Sequence, residues 1–262
     1  MEKIYSKPTE QINDDGDIDP LTSIPSLEIA DRDYVDTLSV KEIIRKSREH
    51  FQPSPESIKQ LEEASIFLPD KIDILLASTG DKPSALIFLN SEEWEPGEDN
   101  KDISTEADKE LRVLAESLGL HICSRDVDMI DSYGGQKIRF YMVSRSIDTL
   151  AALATIEDEE IDLDLGARKN QLRGKLLGYP ETATDAFIDG TGISYKEAEI
   201  HDLEIIAFGG FAYSPNNTHL EMQTALAWAS EVKKTSPTLY GQLLSRCADE
   251  LNNEGYPFHQ PS

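Results

Sequence analysis

TEADKELRVLAESLGLHICSRDVDMIDSYGGQKIRFYMVSR, residues 105–145, decides the fold class, because the hydrophobic period changes inside it. Leu111, Leu114, Ala115 and Leu118 fall on one helical stripe and Gly119 closes it, so 105–118 is expected to be an amphipathic helix. LHICSRD at 120–126 and QKIRFYMVSR at 136–145 then read as strands. In the second, Ile138, Phe140 and Met142 alternate with Arg139 and Tyr141, the period of a half-buried strand.

Upstream, KIDILLAST at 71–79 and SALIFLN at 84–90 flank GDKP and read as a hairpin of two strands. Helices are expected at 39–50, with Ser39 and Glu42 as capping pair, and after Ser54 and Pro55, with Ile58, Leu61 and Ala64 on one face. Downstream, helical patterns cover 146–157, 163–177 up to Gly178, and Pro180 to Phe187. HDLEIIAFGGFAYS at 201–214 is either a buried strand or a tightly turning apolar segment. Thr218 and Glu221 have capping-box spacing before the next helix, and a last helix starts near Ser236 and Pro237 and runs to Leu251. This order predicts an α+β fold, with a mixed sheet of about four to five strands packed with helices and a helix-rich C-terminal half.

The chain has 262 residues, with 50 acidic against 25 Lys and Arg, for a formal charge of -25. That charge repels phosphate backbones and anionic lipid, so nucleic acid is an unfavourable partner. An acid-rich surface also suits a high-salt cytoplasm, although 15 lysines beside 10 arginines do not decide the point. Two cysteines make no disulfide framework, and no paired Cys/His spacing marks a metal site. No export signal or apolar run of spanning length is recognisable, so the expected setting is the cytoplasm without membrane insertion.

Three regions are expected: an acidic N-terminal arm at 1–35, a sheet-containing region at 36–160, and a mostly helical region at 161–262 packed against it. The acidic run EDEEID at 157–162 marks the second boundary. DDGDID in the arm looks like part of a calcium loop, but position twelve counted from Asp14 is Pro25, where the loop needs a glutamate.

The main candidate site lies in LDLGARKNQLRGKLLGYPETATDAF, residues 163–187, where Arg168, Lys169, Arg173 and Lys175 occur with no acid between 165 and 180. Lys169 and Arg173 share a helix face. Arginine offers a bidentate fork and lysine a mobile charge, so the segment is a candidate contact for a small anionic ligand or an acidic protein surface. Amides at Glu181 and Thr182, at the start of the following helix, add to it. The competing reading is that these four groups pair with the chain's own carboxylates.

Leu176, Leu177, Gly178, Tyr179 and Pro180 carry a resemblance. LRGKLLGYPETATDAF is similar to a segment, LGxLLGYPxCC followed by an apolar and aromatic helix, of a family of archaeal conserved proteins of uncharacterised function. The resemblance covers about sixteen residues and implies helix, tight turn and helix, and an archaeal source. Thr182 and Ala183 stand where that pattern has two cysteines, so no thiol or metal role carries over and no activity is implied.

As a DNA-reading unit the same segment is poorly composed, since ETATDAFI has acids and no base. Catalytic patterns are scarce. His121, His201 and His219 with nearby aspartates match no hydrolase motif. His121 and Cys123 sit two apart on one strand, and with Asp126 they are a candidate accessory pocket. No catalytic residue and no cofactor is identified. The sequence thus supports a binding or scaffolding module that uses the basic helix. The alternative is an enzyme acting on a small phosphorylated or carboxylated metabolite.

Overall fold

Ser54 accepts the amide of Ser57 at 3.1 Å and Pro55 opens helix α1, Pro55–Glu63, which buries Ile58 and Leu61 as its spacing predicts. The computed structural model describes residues 44, 45, 47, 48, 51–88, 105–129, 136–157 and 166–261, all within one compact unit, Ser39–Ser262. The expected acidic arm, the Ser39 and Glu42 cap and the 157–162 boundary lie wholly or mostly outside the described residues.

After α1 come α2 (Leu68–Thr79), β1 (Ser84–Phe88), α3 (Thr105–Ser117), β2 (His121–Met129), β3 (Gln136–Ser144) and α4 (Ile147–Ile156). The C-terminal half follows with α5 (Gly166–Leu176), α6 (Glu181–Ile188), α7 (Leu203–Phe208), α8 (Thr218–Thr235) and α9 (Pro237–Glu254). The fold is α+β, with a small antiparallel sheet and a helix-rich C-terminal half.

The described sheet has three strands in the order β1-β3-β2, both pairings antiparallel. It is smaller than expected because KIDILLAST is helical. Pro69 sits in the first turn of α2 and Gly80 closes it with φ 89. Ile72, Ile74, Leu75, Leu76 and Ala77 are all buried, as are Asp70, Lys71, Ser78 and Thr79, so the helix is buried nearly all round and its apolar residues form no single stripe. The strand reading of 201–214 is likewise corrected. Asp202 accepts the Ile205 amide and starts α7, and the chain then turns at Gly209 and Gly210.

Central strand β3 is buried on both faces from Phe140 to Ser144. Ala85, Ile87, Tyr141 and Val143 share one face and join the main core with α2, α3, α8 and α9. The other face carries Leu86, Phe88, Phe140 and Met142, and α4 packs over β2 and β3. Among the described strands β1 lies at the edge of the sheet, and Phe88 at its end is 42% exposed. Ser236 caps α9 through the Leu239 amide, as expected from sequence. Among the described residues, no helix is long and apolar enough to cross a membrane.

Candidate functional site

A cavity of about 810 Å³ opens beside the edge of β1. Its walls come from five places: the start of α2 with the turn into β1, β1 itself through Leu86 and Phe88, helices α5 and α6 with the turn between them, the segment 192–195, and the Gly209–Tyr213 turn. The size is that of a small-molecule site.

Asp70 and Asp73 stand one turn apart on α2 and both line the cavity. Facing them is Lys82, only 4% exposed, whose Nζ donates to Asp73 Oδ1 at 2.6 Å. The same ammonium lies 4.6 Å from the Trp228 ring centroid and 5.2 Å from that of Tyr179. Two ring faces and one carboxylate therefore compensate a cation that has lost most of its water.

Asp70 is differently placed. It is 9% exposed, and Oδ2 accepts the amide of Phe88, the last residue of β1, at 3.3 Å. Oδ1 has no hydrogen-bond partner among the described residues. Burial pushes its carboxyl up to about 7, the Phe88 amide pulls it down, and the neighbouring Asp73 charge raises it further.

The basic segment forms the opposite wall. α5 ends at Leu176, Gly178 takes φ 80, and the Tyr179 amide returns to the Gly174 carbonyl at 2.9 Å, closing the helix, turn and helix arrangement. A side chain at Gly178 would also press on Pro83, with Cβ 2.9 Å from Cδ, so this turn fits directly against the Lys82–Pro83 turn. Tyr179 packs on Phe211 and Trp228 at 6.1 and 6.5 Å, and burial pushes its phenol up.

The four basic residues are not equivalent. Arg173 lines the cavity, and its Nε stands 2.8 Å from Glu157 Oε1 as an ion pair. Its two terminal guanidinium nitrogens have no partner among the described residues. Lys175 pairs with Glu181 across the turn at 2.9 Å. Arg168 is exposed and Lys169 half-buried, and neither lines the cavity. The expected basic face is therefore in part internally paired, and Arg173 alone of the four reaches the concave site.

His121 is exposed at the start of β2 and Cys123 is half-buried opposite Met142, on the sheet face that α4 covers. Asp126 pairs in backbone register with Arg139, and its side chain lies outside the described set. Neither His121 nor Cys123 lines the cavity beside Arg173.

Beneath the cavity the elements are locked by Glu221, which is fully buried. Its Oε1 accepts the Thr182 hydroxyl at 2.6 Å and its Oε2 accepts the Ser214 amide at 2.7 Å, joining α6, the Tyr213 turn and α8. Thr218 meanwhile donates to the Ser214 carbonyl at 2.8 Å. The expected reciprocal box of Thr218 and Glu221 is thus replaced by longer-range bonds, because the Glu221 carboxylate is the acceptor that the buried Ser214 amide requires.

Asp70, Asp73 and Lys82 carry no motif, and the strand reading of 71–79, which takes in Asp73 and starts one residue after Asp70, hid the helical spacing of the two aspartates; Pro69 followed by an acid in the first turn is the signal that locates them. Among the described residues, no group of three or more His, Cys, Asp or Glu is placed to hold a metal ion. Comparison with protein-family models, curated proteins and solved structures returns no match for the chain.

Proposed function

We propose that the protein is a small-molecule binding module whose ligand occupies the cavity beside β1 and carries an acidic group, carboxylate or phosphate, that is held by Arg173. The supporting observation is Arg173 on the wall of an 810 Å³ cavity, its Nε ion-paired with Glu157 and its two terminal nitrogens without a partner among the described residues. A guanidinium so oriented loses little freedom on forming two parallel bonds to an acid. Phe88, Phe187 and Phe211 supply the apolar contact that gives a small ligand most of its affinity. The test is calorimetric titration of 3-phenylpropionate and phenyl phosphate into the protein and into Arg173→Gln. Binding of either, weakened about tenfold by the substitution, supports the reading; no binding of either overturns it.

The enzyme alternative, on a phosphorylated or carboxylated metabolite, draws on one observation. The Asp70 carboxyl is pushed up to about 7 by burial, the range in which a general acid or base is effective at neutral pH. Turnover of a bound metabolite that Asp70→Asn abolishes while leaving its binding intact would favour this alternative.

A further inference from the structure

Asp70 has no role in acid recognition by Arg173, yet it is a poorly satisfied acidic group on the cavity wall. It is nine-tenths buried, only one of its oxygens is bonded, and that bond is a long 3.3 Å from a backbone amide. Removing a carboxyl from water without a partner is unfavourable, and hydrocarbon in its place would fill the same space at no such cost. The neighbouring Asp73 carboxylate makes matters worse for an anion there, since Lys82 is already committed to Asp73 and to two aromatic rings. What the position lacks is a cation that also donates hydrogen bonds. Phe88 on β1 and Phe187 on α6, 42% and 66% exposed, both line the cavity and favour a cationic group over a neutral one.

We infer that the ligand presents a protonated amine to Asp70 while its acid lies at Arg173, so that the cavity takes a small zwitterion of the amino-acid type with an apolar or aromatic side chain. This rests on the cavity being a ligand site, as proposed above, and specifies its chemistry. The wall holds both signs of charge, two aspartates against Lys82 and Arg173, as a zwitterion requires.

Asp73 is the charged group facing Asp70 from its own helix. β1 contributes no titratable side chain, and α8 and α9 place none on the cavity wall. The remaining titratable wall groups are Lys82, Arg173 and three tyrosines, Tyr179, Tyr195 and Tyr213, all pushed up by burial and away from neutrality. Amine binding should therefore strengthen as Asp70 loses its proton through pH 7.

The experiment compares phenylalanine, 3-phenylpropionate and phenethylamine by calorimetric titration into the full chain and into Asp70→Asn at pH 8. The expected result is that phenylalanine binds at least about tenfold more tightly than 3-phenylpropionate, and that the substitution erases this difference while leaving 3-phenylpropionate unchanged. In parallel, phenethylamine affinity of the unaltered protein should rise at least about tenfold from pH 5.5 to 8.5, a reading that needs no variant to fold. If 3-phenylpropionate binds as tightly as phenylalanine, or if phenethylamine affinity does not change with pH, the amine assignment is overturned and the cavity reading survives. If none of the three binds, both are overturned.

Discussion

Lys82 Nζ lies 2.6 Å from Asp73 Oδ1 and 4.6 Å from the centre of the Trp228 ring, so one ammonium ties the first helix of the cavity wall to α8. Lys82 is 4% exposed and Asp73 31%, which leaves Asp73 partly hydrated if its partner is removed. Lys82→Met keeps most of the aliphatic packing and deletes the charge. Its expected cost is roughly 2 kcal/mol, below the figure for a fully buried pair, measured as a lowered urea midpoint with unchanged slope.

The Asp70 carboxyl moves from the ordinary 3.8 to about 7 on folding, chiefly through burial. Between those values the folded protein holds a proton that the unfolded chain has released. Stability contributed by this group is thus fully present below about 4 and is lost as pH rises to about 7, by an order of ~4 kcal/mol at most. Asp70→Asn keeps an acceptor for the Phe88 amide without the charge. Urea unfolding should find the variant more stable than the parent at pH 8 and no more stable at pH 4. A stabilised variant that no longer binds the amine is the pattern of a residue kept for ligand recognition.

Glu221, fully buried, accepts from Thr182 and from the Ser214 amide. Glu221→Ala strands both donors and should lower stability by about 2–4 kcal/mol. Thr182→Val removes only one bond and is expected to cost about 1 kcal/mol. Because the two residues share that bond, their combined effect should be less than the sum, with a coupling of about 0.5–3 kcal/mol in a double-mutant cycle. Strict additivity would contradict the assigned contact.

Gly210 lines the cavity, and a Cβ added there would meet nothing within 4 Å. Gly210→Phe should therefore fill cavity space without disturbing the core. Its expected signature is a stability within about 0.5 kcal/mol of the parent together with loss of ligand binding by calorimetry. Unimpaired binding would place the ligand elsewhere.

The sequence disclosed those parts of the architecture whose period or capping is local. α3 has its Leu111, Leu114 and Leu118 stripe, β3 its alternation, α1 and α9 their Ser-Pro starts, and each forms where it was read. α2 was hidden because tertiary burial on all sides removes the polar stripe on which recognition of a helix depends; Ile74 to Ala77 are equally compatible with an inner strand. That single misreading concealed the cavity, since Asp70 and Asp73 share a wall only on a helix. Arg173 was legible as a cation in an acid-free stretch, but which of four basic residues would face a concave surface depends on where α6 and the Lys82 turn pack, and no local pattern encodes that. The role of Glu221 escaped for a similar reason: its partners are Thr182, 39 positions away, and an amide whose burial is decided by the fold.

The most direct check is a crystal structure of the protein grown with phenylalanine. The account predicts ligand density in the cavity beside β1, with its amine within hydrogen-bonding distance of Asp70 Oδ1 and its carboxylate on the terminal nitrogens of Arg173. An empty cavity at saturating ligand, or the ligand bound with its carboxylate toward Asp70, would contradict it.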